Sequence, residues 1–209
     1  MTLKENKMKK TIGFLIILLM FNPLVCAATA GDEFHRAEKA DFFGIVQTLS
    51  GDSTSFDFGS IDNKFELKDT TVYGFGIGYS ANDYINVNTT FLFGATDIDA
   101  SAEDISIDGD TDIFLWNLNF DYNILKRRLT PVLSAGIGAF HTRGKLEAFG
   151  LKSNANETDF TYNFGAGLRW DAKNDFSIKV IYRWNWMKLK EAESTMLLDG
   201  ISISAGIRF

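Results

Sequence analysis

The feature that most constrains this chain is a period-two alternation of apolar and polar residues, which recurs from residue 41 to the last residue. Such alternation places successive side chains on opposite faces of a β-strand. Eight stretches carry it: Asp41–Ser50, Thr70–Ser80, Tyr84–Asp97, Asp110–Asn123, Pro131–Lys145, Glu157–Asp171, Asp175–Lys188 and Leu198–Phe209. In the last, Ile201, Ile203, Ala205, Ile207 and Phe209 share one face, while Ser202, Ser204, Gly206 and Arg208 share the other. In the seventh, Phe176, Ile178, Val180, Tyr182, Trp184 and Trp186 oppose Ser177, Lys179, Arg183 and Asn185. In the sixth, Phe160, Tyr162, Phe164, Ala166, Leu168 and Trp170 oppose Thr161, Asn163, Gly165, Gly167 and Arg169. The fourth sets Phe114, Trp116, Leu118, Phe120 and Tyr122 against Asn117, Asn119 and Asp121; the second sets Tyr73, Phe75, Ile77 and Tyr79 against Gly74, Gly76 and Gly78. The first and fifth stretches are less clean, and their parity stays open.

The connections alternate in kind. Ala81–Asp83, Ile124–Thr130 and Ala172–Asn174 are short. Gly51–Asp69, Ile98–Gly109, Leu146–Asn156 and Leu189–Leu197 are longer or more acidic, and they read as loops. Strands of about ten residues, short turns at one end and long loops at the other fit an antiparallel up-and-down barrel crossing a membrane. An even strand number puts both termini on the short-turn side. With 18 Gly, 19 Phe and only 2 Pro, the composition suits the same β-rich architecture.

A soluble calyx with its apolar face inward would show the same alternation. Three considerations favour lipid outside. An eight-stranded barrel encloses only enough space for side chains to fill it, and the aromatic face is too bulky for that interior. Aromatics cluster near strand ends, as interfacial girdles require: Tyr79, Tyr122, Trp170, Phe176 and Phe209 at the short-turn rim, with Phe114, Phe160, Trp184 and Trp186 toward the other. Unpaired backbone is intolerable in lipid, so a spanning sheet must close, and this strand pattern can close.

The N-terminus reads as an address. Lys4, Lys7, Lys9 and Lys10 precede an apolar run from Ile12 to Phe21, and Ala27, Ala28 and Ala30 follow. Positive, apolar, then small is the order of a secretory signal peptide, and the run is too short for a spanning helix. The expected layout is a cleaved leader at 1–30, a short periplasmic tail at 31–40 and a barrel at 41–209. The single cysteine, Cys26, falls in the leader, so the mature chain has no thiol for a disulfide or a metal. The net charge is −6 and no basic patch stands out, which argues against nucleic acid as a partner.

The terminal segment Ile201–Phe209, with Ile201, Ile203 and Ile207 alternating toward an aromatic last residue, resembles the C-terminal assembly signal of outer-membrane barrels. Pro131–Phe140 resembles the fifth strand of the OmpW-like and OmpA-like small barrels, and Tyr79–Tyr84 their first periplasmic hairpin. The resemblance implies residence in a bacterial outer membrane, with lipid, lipopolysaccharide and the barrel assembly machinery as partners. It implies one of two roles: a narrow conduit for small hydrophobic molecules, as in OmpW-like proteins, or a structural or adhesive barrel with a closed lumen, as in OmpA-like ones. A closed barrel has no free edge, so a monomer is expected.

Enzymatic chemistry finds little support. Lipid A deacylases of this architecture place His and Ser two residues apart on a strand, but His141 is followed by Thr142 and Arg143. The only other histidine, His35, lies in the tail. Two distant histidines make no metal site, and the Gly74, Gly76 and Gly78 spacing sits inside a strand rather than before a helix, so it cradles no phosphate. No cofactor, metal or catalytic residue is expected. The strongest candidate site is a charge network on the polar faces: Lys179, Arg183, Arg169 and Arg208, with Asp121 as a partner. Buried charges require partners or hydration, so these groups should bridge and plug the lumen.

Overall fold

The computed structural model describes residues 33–51, 54–58, 61–67, 69–102, 105–148, 151–188 and 195–209; the expected leader lies outside them. Ten antiparallel strands form among these residues: β1 (Ala40–Gly51), β2 (Thr54–Phe58), β3 (Ile61–Leu67), β4 (Thr70–Ser80), β5 (Ile85–Ala102), β6 (Ile105–Asn123), β7 (Leu129–Ala148), β8 (Leu151–Asp171), β9 (Phe176–Lys188) and β10 (Thr195–Arg208). Eight of them, β1 and β4–β10, close a ring in which each pairs with two neighbours. The seam joins first strand to last: Ala40 N donates to Phe209 O and Phe209 N to Ala40 O, both at 2.9 Å.

The remaining two strands correct the reading of Gly51–Asp69 as a loop. β2 pairs with β3 in the register that β1 keeps with β4: Leu49 faces Thr70, and Thr54 faces Phe65. Thus β2 and β3 prolong β1 and β4 as one tall hairpin. β3 also pairs with β5, but one residue out of step with β4, since Leu67 faces Ile98 while Tyr73 faces Phe93. Between these two pairs the β3–β4 side has one residue more than β5, the count of a β-bulge. The expected loops Ile98–Gly109 and Leu146–Asn156 likewise continue the ladders, to Ala102↔Ile105 and Ala148↔Leu151. A ladder already formed below extends at low entropic cost, which outweighs the loop-like acidic composition.

At the other end the connections are tight. Asn82 Oδ1 accepts from the N–H of Tyr84 and of Ile85, both at 2.8 Å, closing the β4–β5 turn from within its own side chain. Leu125 N donates to Thr130 Oγ1 at 2.9 Å in the β6–β7 turn, and Ala172 N to Phe176 O at 2.8 Å in the β8–β9 turn.

The faces fall as the alternation predicts on β4, β6, β8, β9 and β10. Tyr73, Phe75, Ile77, Tyr79, Phe160, Tyr162, Phe164, Ile201, Ile203 and Ile207 all point outward and stay exposed. Cross-strand rings pack on this surface: Tyr162 and Trp186 stack with centres 5.4 Å apart, and Phe75 and Phe91 lie tilted, also 5.4 Å apart. The structure also settles the two open strands. β1 turns Phe43, Ile45, Gln47 and Leu49 inward, opposite Phe42 and Val46; β7 turns Val132 and Phe140 inward, opposite Ile137. Both strands carry apolar residues on both faces, which is why alternation alone did not orient them.

Glycine sets the wall's tightness at two points. A Cβ on Gly74 would lie 1.8 Å from Phe91 O, and one on Gly167 would lie 2.0 Å from Val180 O. Both obstacles are backbone and cannot retreat. Gly167→Ala should therefore destabilise the barrel by about 1–3 kcal/mol, the range for overpacking. The check is the urea midpoint of the heat-modifiable folded band; an unchanged midpoint contradicts the close approach.

Candidate functional site in the barrel lumen

The inward side chains form layers along the barrel axis. At the short-turn end, the ion pairs centre on two carboxylates, Asp41 on β1 and Asp171 at the end of β8. Arg169 Nε donates to Asp171 Oδ1 at 2.9 Å and its NH2 reaches Asp41 Oδ1 at 3.2 Å. Arg208 NH2 lies 3.0 Å from Asp171 Oδ1, and Arg208 Nε lies 4.0 Å from Asp41 Oδ1. Asp41 Oδ2 also accepts from Asn86 Nδ2 at 2.9 Å. These groups are almost wholly buried.

One level up, Lys179 Nζ donates to Asp121 Oδ2 at 2.6 Å, and Asn88 Nδ2 donates to the same oxygen at 2.9 Å. Lys179 also lies 5.1 Å from the centre of the Phe43 ring. Arg183 makes no ion pair with Asp121. Its NH1 donates to Asn119 Oδ1 and Asn163 Oδ1, both at 2.8 Å. Asn119 Nδ2 continues to Asn88 Oδ1 at 3.3 Å, and Asn163 Nδ2 to Asn117 Oδ1 at 3.4 Å. An amide belt thus carries the Arg183 charge.

Above the belt the character changes. Leu49, Val72, Leu92, Leu115, Phe140, Met187, Met196 and Leu198 form one contiguous cluster, and each is nearly or fully inaccessible. The structure thus places the ion pairs in the short-turn half, while the far half is mainly apolar, with Gln47, Thr111, Asp159 and Asn185 buried among the hydrocarbon.

Lys179, Arg169, Arg208 and Asp121, singled out from the sequence, thus enter ion pairs inside the wall, and Arg183 enters the amide belt. Three members were missed. Asp171 stands two residues after Arg169 on the same face, so its signal was present. Asp41 was hidden by the unreadable parity of β1. Arg36 belongs to the tail, which has no periodicity to read. It is fully buried: its Nε donates to Asp171 Oδ2 at 2.6 Å, its NH1 to Leu125 O at 3.1 Å and its NH2 to Arg127 O.

The tail is fixed by a second carboxylate, Asp83, in the β4–β5 turn. Asp83 accepts from Arg36 N at 2.8 Å and Ala37 N at 3.1 Å, with Lys126 Nζ at 3.1 Å and His35 Nδ1 at 3.4 Å. Burial alone would raise this carboxyl, but those donors outweigh it and hold Asp83 well below the usual carboxylate range. At the neighbouring turn, Lys39 Nζ lies 2.5 Å from Asp175 Oδ1 and keeps that carboxyl low as well.

A match to the family model described as outer membrane protein beta-barrel domain covers residues 18–209. The chain belongs to that family. Its barrel lies in the outer membrane, with the exposed aromatic surface against lipid. The crystal structure of Ail, the attachment invasion locus protein of Yersinia pestis, is similar at 20% identity and TM-score 0.54, covering 83% of this chain and 99% of that one. OprG from Pseudomonas aeruginosa is similar at 16% identity and TM-score 0.59, covering 84% of this chain and 98% of that one. At such identity the likeness establishes the fold alone. Among curated protein sequences none matches this chain.

Two outcomes follow from the lumen geometry. Asp171→Asn leaves buried guanidiniums short of a counter-charge, which should cost about 3–5 kcal/mol in urea unfolding from lipid vesicles. A carboxyl with a depressed folded-state pKa stabilises at pH above its unfolded value, about 3.9, and that contribution is lost as pH falls through the folded value. Protection of the Arg36 and Ala37 amides in hydrogen exchange should therefore hold from neutral pH to about 4 and weaken below it. Asp83→Asn should lower the protection already at neutral pH.

Proposed function

We propose that this protein is a non-enzymatic envelope barrel with a closed lumen, which holds β-hairpins beyond the outer leaflet for structural or adhesive contact. The observation that carries this reading is the buried apolar cluster, to which β1, β4, β5, β6, β7, β9 and β10 all contribute. Relative exposures of 6% or less for these side chains support a plugged far half. Polar solutes then meet hydrocarbon above the amide belt and an ion-paired floor below it. On this reading the partners are outer-membrane lipid, lipopolysaccharide and the assembly machinery, which would recognise Ile201, Ile203, Ile207 and Phe209 on the lipid face of β10. With all eight wall strands paired, the barrel functions as a monomer.

A second reading, a conduit for small hydrophobic molecules, draws support from one feature beside the apolar half. The β1–β10 ladder runs to Gln47↔Ser202 and resumes at Ser50↔Asp199. Between them Thr48 Oγ1 accepts from Ile201 N at 3.0 Å, taking a place in the ladder with a side chain. The backbones remain close there, since a Cβ on Gly200 would lie 1.9 Å from Thr48 O, so an apolar solute would pass from lumen to lipid only if β1 and β10 parted at this point.

Planar bilayers separate open from closed. The closed-lumen reading expects no steady ion conductance from the wild type or from Arg183→Ala; steady channels in the wild type overturn it. Uptake of an uncharged hydrophobic dye by expressing cells tests the conduit, which predicts uptake above that of cells lacking the protein and a fall to that level in Leu198→Asp. Lipid A mass spectra should be the same with and without expression.

A further inference from the structure

The short-turn mouth is covered by the segment Glu33–Lys39, whose last two residues continue the β1–β4 ladder to Ser80 and whose remainder has one main-chain bond to the wall, from Phe34. Phe34 N donates to Lys126 O at 3.0 Å, Glu38 N to Ser80 O at 2.8 Å, and Ser80 N to Lys39 O at 2.9 Å. The rest of the attachment is ionic or aromatic, and it touches all three periplasmic turns. Asp83 holds Arg36 and Ala37, the Leu125 and Arg127 carbonyls hold the Arg36 side chain, and Asp175 holds Lys39. Phe34 lies under three guanidiniums, 4.8 Å from Arg208, 5.4 Å from Arg36 and 5.7 Å from Arg128.

The charges on this floor are unevenly shared. Arg169 and Arg208 belong to the wall, and so do Asp41 and Asp171; those four balance without the tail. Arg36 adds a third guanidinium to the same two carboxylates, so its attraction to Asp171 is opposed by two like charges close by. Glu38, at the hinge between tail and β1, sits at a φ of 62°, a conformation disfavoured for a side chain of this kind. Arg208, whose guanidinium lies over the Phe34 ring, has a side chain that finds no well-aligned hydrogen-bond acceptor among the described residues despite its ion pairs. Water reaching it would supply one.

We infer that Glu33–Lys39 is a detachable plug: it leaves the periplasmic mouth without unfolding the barrel and exposes the Arg169, Arg208, Asp41 and Asp171 floor to the periplasm. The wall network survives because it is charge-balanced alone. The apolar half stays shut, so plug release opens a periplasmic vestibule and not a channel. This inference does not rest on the closed-lumen proposal, since the two concern opposite ends of the lumen.

The test places a reporter under the plug. Ser80 is inaccessible and lies beside the Glu38 attachment. The full chain carrying Cys26→Ser and Ser80→Cys is folded into phospholipid nanodiscs and treated with a membrane-impermeant, negatively charged methanethiosulfonate. Slow labelling is expected with the plug intact, and labelling at least tenfold faster on adding Arg36→Ala, with the folded band and its urea midpoint retained. A second variant, deletion of residues 33–38, removes Phe34 and Arg36 together and should also fold and label rapidly. Unchanged labelling in both variants overturns the plug. Loss of the folded band in both overturns it too, because the tail would then be part of the fold.

Discussion

Everything in this structure follows from the impossibility of leaving a backbone N–H or C=O unpaired in hydrocarbon. That demand fixes closure, and closure comes down to one seam. Ala40 and Phe209 exchange their main-chain bonds, and from there β1 and β10 pair upward. The first and last strands of the described fold meet there, so the wall is completed only when β10 pairs with β1. With pairing satisfied by the ring, side chains are released from that duty and can differentiate, aromatics outward and three kinds of filling inward.

The inward filling is graded. Ion pairs occupy the short-turn end, amides the middle and mainly hydrocarbon the far half. Each layer is consistent with its neighbours: the Asn88 amide links Asp121 below to Asn119 above, and Lys179 bridges a carboxylate and an aromatic ring. A buried charge is tolerable only among partners, and the charged end is also where the tail and the turn carbonyls bring in further polar groups.

The sequence exposed some of this and concealed the rest for identifiable reasons. β8, β9 and β10 could be oriented because glycine, serine and charge face in while aromatics and isoleucine face out. β1 and β7 could not, because apolar residues face both ways on them, with Phe43, Leu49 and Phe140 inside and Phe42, Val46 and Ile137 outside. The tall hairpins were read as loops because their residues are acidic. The β5–β6 ladder nevertheless runs on through them, with Asp97 opposite Asp110 and Asp99 opposite Asp108 in backbone register. Of the lumen site, the residues on clean strands were legible, and Asp171 was within reach of the same reasoning. Arg36 was not, because a tail that docks by charge and single hydrogen bonds leaves no repeating mark in the sequence.

The continuous register of β1–β2 with β3–β4 has an evolutionary consequence. The tall hairpins opposite the tight turns are extensions of the wall and not appendages hung from it, so their height can change without disturbing what lies beneath. Residues added or lost in matched pairs on the two arms of a hairpin keep every inward side chain inward, whereas one added within the buried ladder would turn the strand inside out. Surface variation can therefore accumulate at the tips, under pressure from whatever meets the cell, while the lumen and the seam remain the same.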